Sequence, residues 1–271
     1  MMNEKIVRLA LLGRDVSKSL SARIHTFILE KWGYACEYEL VSAGKEEFDG
    51  AMRRLLGDFD GFNVTIPYKR DVMAYLDEVS GDAMDFGAVN TVVTRTRTGY
   101  NTDGVGFLHM LHLADVPVQG KKILVLGGGG AGRSTAAALK KAGASVFVYQ
   151  RRREKLEEVC RELGVQAADD PESGGYNILV NCTGVGMHET VGISPVSARA
   201  FDGAGVAVDL IYTPSESEFL RLAKARGLRT LNGAAMLFYQ AYFSDCLYLN
   251  RAPGEREVEE LYQEYRKEKK S

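Results

Sequence analysis

The chain alternates short apolar runs with stretches whose apolar residues recur at helical spacing. Early in the chain "KIVRLALLG", "CEYELVSAG" and "GFNVTIP" are runs of strand type; between them "SARIHTFILEKWG", closed by Gly33, and "KEEFDGAMRRLLGD" carry the helical period. Strand and helix in alternation predict an α/β sheet with at least some parallel pairing. The texture then changes. "VGFLHMLHLAD" predicts a helix that ends at Pro117, and from Gln119 a second α/β pattern begins with "KKILVLGGGGAGRSTAAALKKAGASVFVYQRRREK", followed by "YNILVNCTGVGM" and "GVAVDLIYTP". Its strands are unbroken apolar runs, the pattern of a parallel sheet covered on both faces. Ala234 to Ser271 reads as helical throughout and is expected to return to the first domain. With the boundary placed between Asn101 and Gly106, the first domain covers 1–104, completed by 234–271, and the second covers 105–233.

Composition then removes several function classes. A net charge of -2, from 34 basic and 36 acidic residues, lacks the basic excess of a nucleic-acid binder, so the expected partner is a small molecule. No apolar run approaches the roughly 20 residues that span a bilayer. The first residues lack the apolar core and cleavage site of a signal peptide. Cys36, Cys160, Cys182 and Cys246 are far apart, with no CxxC pair and no His/Cys cluster at ligand spacing. Neither a disulfide framework nor a metal site is expected, and a reducing cytoplasm is the expected location. His109 and His112 lie three apart on a helix with no third ligand evident; His25 is read as packing or capping, and His188 as a surface residue.

"GGGGAG" satisfies GxGxxG through Gly127, Gly129 and Gly132, directly after the strand "ILVL" and at the start of an alanine-rich helix. In that context a pyrophosphate can sit on the free N–H groups of the helix N-terminus; the alternative is a flexible turn. At the end of the next strand a carboxylate would select NAD. The chain has Gln150 there, then Arg151, Arg152 and Arg153, so the expected cofactor is NADP, with its 2′-phosphate held by arginine forks. Arg153 is open to the plainer reading of a solvated charge at a helix start.

In the first domain, "SKSLSARIH" sets Ser19 and Ser21 at a helix start, "NVTIPYK" places Thr65 in the strand that ends in proline and Lys69 two residues past it, "GAVNT" holds Asn90 in a glycine-flanked strand, and "NTDGVG" holds Asp103 in a loop. Singly, Ser21 and Asp103 read equally well as caps and Asn90 as a turn residue. Together, and in this order with "GGGGA", "QRR", "NCTGVGM", "DLIYTP" and "NGAAMLFYQ", they resemble the shikimate dehydrogenase family along the whole chain.

The resemblance implies an NADP-dependent oxidoreductase that reversibly reduces 3-dehydroshikimate to shikimate, with a Rossmann-type doubly wound domain behind an N-terminal α/β substrate domain. It implies that Ser19, Ser21, Thr65, Asn90, Asp103 and Gln240 hydrogen-bond the hydroxyl and carboxylate groups of shikimate, with Tyr212 nearby. For the cofactor it implies Gly127, Gly128, Gly129, Gly130, Ala131, Gln150, Arg151 and Arg152, with Leu210 and Gly233 at the nicotinamide end. Ala22 and Thr26 depart from the family's usual proline and asparagine, Gln150 from an asparagine and Gly128 from an alanine.

Lys69 and Asp103 are the expected catalytic pair. An ammonium can donate to the carbonyl oxygen and carry the proton of the developing alkoxide, while Asp103 orients it. Burial and a neighbouring carboxylate push a lysine in opposite directions, so a proton-transfer role and a fixed-cation role both stand. The alternatives to the main reading are a quinate/shikimate dehydrogenase of the same family and a non-catalytic ligand sensor on the same scaffold. Monomer and homodimer are both open.

Overall fold

The computed structural model describes residues 6–268. Lys5, at the start of the first predicted strand, and the last three residues of the predicted terminal helix lie outside them. The chain divides into two compact units, one built up to Gly106 and again from Leu237, the other from Phe107–Met236.

The first unit contains β1 (Ile6–Gly13), α1 (Ser21–Lys31), β2 (Ala35–Ser42), α2 (Phe48–Asp58), β3 (Gly61–Val64), β4 (Glu78–Val79), α3 (Gly81–Phe86), β5 (Thr91–Val93) and β6 (Thr98–Tyr100). The division falls inside α4 (Asp103–Leu113). The strands form one sheet in the order β2-β1-β3-β5-β6-β4. β1 runs parallel to β2 and β3; β5 is antiparallel to both β3 and β6. Because side chains alternate along a strand, Ala10 and Leu12 of β1 join Met52 and Leu55 of α2 on one face, while Val7 and Leu9 join Leu29 of α1 on the other.

Two details correct the sequence reading. The strand expected over "GFNVTIP" stops at Val64, and Thr65 lies in the turn that follows; Pro67 has no N–H to offer a ladder. The helix expected near Val105 starts at Asp103.

The second unit holds β7 (Lys122–Leu126), α5 (Gly130–Lys141), β8 (Ser145–Tyr149), α6 (Arg153–Leu163), β9 (Gln166–Ala167), β10 (Ile178–Asn181), β11 (Val206–Asp209), α7 (Glu218–Ala225) and β12 (Arg229–Asn232). All pairings are parallel, in the order β12-β11-β10-β7-β8-β9. This is the strand order of the doubly wound dinucleotide-binding fold. Ile123, Leu124 and Val125 of β7 are fully buried, as a central parallel strand requires.

The predicted terminal helix is two helices, α8 (Ala234–Tyr248) and α9 (Glu255–Glu268). Pro253 and Gly254 interrupt them, and the Gly254 N–H donates to the Tyr242 hydroxyl at 2.8 Å. The C-terminal helices complete the first unit. Phe238 packs on Phe27 of α1 and Tyr265 of α9, and Tyr248 joins the β1 cluster.

A buried polar pair ties α8 to α1. His25 Nδ1 lies 2.6 Å from Asp245 Oδ1, both side chains fully buried, with the His25 ring stacked on Tyr38. Burial pushes the Asp245 carboxyl up from its usual range, and His25 draws it partway back. Removing one partner of such a pair strands the other charge. His25→Leu should therefore cost about 3–5 kcal/mol, whereas Asp245→Asn, which keeps a neutral acceptor, should cost less. Urea unfolding of both variants checks this. A raised folded-state pKa favours the fold at low pH, so the His25→Leu penalty should shrink as the pH falls through the range in which Asp245 takes up its proton.

Candidate active site

Strand directions gather the polar residues of the first unit at one sheet edge. β1 and β3 are parallel, so both end there; β5, antiparallel to β3, begins there, and β6, antiparallel to β5, ends there. The loop after β1 leads to Ser19 and Ser21, and the turn after β3 carries Thr65 and Lys69. Asn90 precedes β5, and Asn101, Thr102 and Asp103 follow β6. Backbone bonds from Val64 N–H to Asn90 O at 2.8 Å and from Asn90 N–H to Tyr100 O at 3.0 Å fix the register.

Four of the predicted residues form one hydrogen-bonded cluster. Lys69 Nζ donates to Asp103 Oδ2 at 2.5 Å, with side chains only 11% and 9% exposed. Asn90 Nδ2 donates to Asp103 Oδ1 at 2.9 Å and reaches Gln240 Oε1 of α8 at 3.4 Å. Asp103 is thus the first residue of α4 and not its cap, and its N–H donates to Asn101 Oδ1 at 3.1 Å. α4 and α8 approach closely at Gly106, where a Cβ would lie 2.8 Å from the Gln240 backbone nitrogen. Ser19 and Ser21 form a separate pair, with hydroxyls 3.0 Å apart. Ser21 does not cap α1 either: the N-cap is Leu20, with no side-chain bond. The Thr65 side chain is half-buried.

In the second unit, the carboxyl ends of the adjacent strands β7 and β10 flank the switch point at which doubly wound sheets bind ligands. Gly127 follows β7 with φ +101°, and a Cβ on Gly132 would lie 1.9 Å from the Gly127 carbonyl oxygen. The N-cap of α5 is Gly129, which offers no side chain, so the N–H groups of Gly130 and Ala131 in the first turn are left for an anion. Gly128 and Gln150 are half-buried beside that loop. Arg151 and Arg152 are exposed, and neither makes an ion pair among the described residues. Arg153 instead pairs with Glu157 at 2.8 Å and with Asp169, in line with its plainer reading. A Cβ on Gly233 would lie 2.0 Å from Leu210 O, so those two backbones touch. Tyr212, just past β11, is half-buried, which pushes its phenol up.

The Shikimate dehydrogenase substrate binding domain matches residues 11–92, and the Alanine dehydrogenase/PNT C-terminal domain matches residues 105–179. The shikimate dehydrogenase (NADP(+)) of Thermus thermophilus is 39% identical over 257 residues, 94% of this chain and 97% of that protein. The chain belongs to the shikimate dehydrogenase family. Among solved structures of the family, shikimate 5-dehydrogenase from Thermus thermophilus in complex with NADP(H) and shikimate aligns with a TM-score of 0.87 at 38% identity, covering 95% of this chain and 99% of that one. A chorismate mutase/shikimate 5-dehydrogenase fusion protein from Clostridium acetobutylicum aligns with a TM-score of 0.89 at 35% identity, covering 100% of both.

Sequence reasoning missed the residues beneath both clusters. Asn63, Thr91, Thr102 and Ser244 are buried around Asn90. In the second unit Asn181 donates to Asp209 at 3.1 Å, Thr183 donates to Asn181 at 2.7 Å and Ser217 to Asp209 at 2.5 Å. Burial raises the Asp209 carboxyl, while Ser217, the Ile211 N–H and Asn181 oppose that rise. The available signal was a lone polar residue closing an apolar run, as in "ILVN" and "VAVD". His188 is exposed; the His109 and His112 rings lie 6.5 Å apart. Among the described residues no group of three or more His, Cys, Asp or Glu is placed to hold a metal.

Since a Cβ at 132 meets backbone, Gly132→Ala must displace the loop. It should weaken binding of a nicotinamide dinucleotide about tenfold or more, equivalent to a clash of at least about 1.4 kcal/mol. Titration of NADPH fluorescence measures this.

Proposed function

We propose that the protein is an NADP-dependent shikimate dehydrogenase that reversibly reduces 3-dehydroshikimate to shikimate, in the pathway to chorismate and the aromatic amino acids. The observation that carries the reading is the buried cluster of Lys69, Asp103, Asn90 and Gln240 in a chain of this family. The first unit takes the substrate and the second the cofactor.

The residues present fit NADP. The uncapped start of α5 and the close approach of Gly132 to Gly127 suit a pyrophosphate, and Gln150 with Arg151 and Arg152, unpaired among the described residues, suits an adenosine 2′-phosphate. Leu210 and Gly233 would border the nicotinamide. Bound NADPH supplies the hydride.

Lys69 acts on the oxygen of the group being reduced. Its ammonium stabilises the negative charge that develops there and carries the proton that completes the alcohol; in the reverse direction the neutral amine accepts it. Asp103 fixes the ammonium through Oδ2, and Asn90 holds the other carboxylate oxygen. Ser19, Ser21, Thr65, Asn90 and Gln240, with Tyr212, serve the substrate's hydroxyl and carboxylate groups, which call for several short polar side chains.

No helix among the described residues is long and apolar enough to cross a membrane, and the four cysteines are free. We assign the enzyme to the cytoplasm, working as a monomer or homodimer.

Lys69→Ala should lower turnover by a factor on the order of 100 or more, with NADP affinity nearly unchanged; normal turnover would remove Lys69 from the mechanism. Arg151→Ala and Arg152→Ala should each raise the KM for NADP roughly 10-fold or more through loss of a charge-assisted bond, whereas Arg153→Ala should leave it near wild type. Steady-state rates with shikimate, quinate, NADP and NAD complete the test. A preference for quinate with NAD would overturn the assignment.

A further inference from the structure

Asn90 can hold Asp103 only with its NH2 group, since its oxygen would repel the carboxylate. What keeps the amide that way round is a chain of buried donors. Thr102 N–H donates to Asn90 Oδ1 at 2.8 Å, and Thr91 Oγ1 donates to the same atom at 2.8 Å. The Asn90 NH2 then has one proton for Asp103 Oδ1 at 2.9 Å and one for Thr102 Oγ1 at 3.0 Å, with Gln240 Oε1 a longer third contact at 3.4 Å. Having accepted that proton, the Thr102 hydroxyl can turn its own to Ser244 Oγ, 3.0 Å away. Ser244 in turn donates to the backbone oxygen of Gln240 at 2.9 Å, leaving its lone pairs for Thr102 and for Asn63 Nδ2 at 3.2 Å. Asn90 is 3% exposed, Thr102 3% and Ser244 0%, so water is not a ready substitute for any partner.

We propose that Thr102 and Ser244 are positioning residues: anchored on a helix carbonyl, they polarise one line of hydrogen bonds that presents the Asn90 NH2, rather than its oxygen, to Asp103. The anchor has an independent reason to be reliable. The Gln240 carbonyl of α8 can only accept and the Thr102 backbone N–H can only donate, so the two ends of the line are fixed while the hydroxyls between them adapt. The line is braced from the side: Thr91 Oγ1 also lies 2.8 Å from Ser244 Oγ, and Thr102 Oγ1 lies 3.2 Å from Asn90 Oδ1. Reversing the amide would leave two donors facing each other at Thr102 N–H and two acceptors facing each other at Asp103. This inference rests on the proposed function for its kinetic consequence, though not for the amide orientation itself.

The test uses the full chain with Thr102→Val, Ser244→Ala, Thr102→Ser and the Thr102→Val/Ser244→Ala double variant. Thr102→Val and Ser244→Ala should each lower kcat roughly 10- to 100-fold through misplacement of the catalytic pair. The KM for NADP should not move, and Thr102→Ser, which keeps the hydroxyl, should stay within about threefold of wild type. Because the two residues act in series, the double variant should be no slower than the worse single one. A merely structural role would give additive losses. Independently of turnover, the Asn90 side-chain amide protons of 15N-labelled protein should exchange at least about tenfold faster in either hydroxyl-deleted variant than in wild type. Should Thr102→Val fail to fold, Ser244→Ala carries the same two readouts. Wild-type kcat and unchanged amide exchange in Ser244→Ala, or additive losses in the double variant, would overturn the proposal. Faster exchange in a protein whose wild type does not turn over shikimate would uphold the relay and reject the assigned reaction.

Discussion

A carboxylate almost wholly withdrawn from water has to be compensated from all sides, and Asp103 is that carboxylate. Its two oxygens are engaged by different elements: Lys69 from the turn after β3, and Asn90 from the start of β5. A parallel sheet alone would not deliver this, because only its carboxyl ends share an edge. The antiparallel half, β5 and β6 beside β3, adds one strand start and one more strand end to the same edge. The mixed sheet is therefore the means by which two short segments, one bringing a cation and one an amide donor, meet the buried carboxylate that follows β6.

The two units meet their polar demands in opposite ways. In the first, side chains do the work, each satisfied by another side chain, so specificity lies in residue identity. In the second, the glycine loop offers backbone N–H groups and open space, and identity matters chiefly at Arg151 and Arg152. Three adjacent arginines separate cleanly: Arg153 is tied to Glu157 and Asp169, while the two before it remain available. Charge counting along the sequence cannot draw that line; the positions of the neighbouring acids do.

Much of this was legible in the residues. Unbroken apolar runs marked the parallel sheet of the second unit, and the glycines between "ILVL" and an alanine-rich helix marked its loop. The pairing of Lys69 with Asp103 followed from motif order. The short strands β4 and β6 escaped, since two or three residues hold too little of a period to register, and the strand read around Asn90 begins only at Thr91. Thr102 and Ser244 escaped for another reason. A buried hydroxyl is indistinguishable in sequence from a solvated one, and its partners lie 12 and 142 residues away. The break between α8 and α9 was readable from Pro253 and Gly254, yet the helical period on either side masked it.

The placement of α8 gives the site a history during synthesis. Its Gln240, Ser244 and Asp245 serve the first unit, yet the whole second unit is translated before them. As the ribosome proceeds, Thr102 and His25 emerge long before Ser244 and Asp245, their partners on α8. The contacts that α8 makes with the first unit can therefore form only after the whole second unit has been translated.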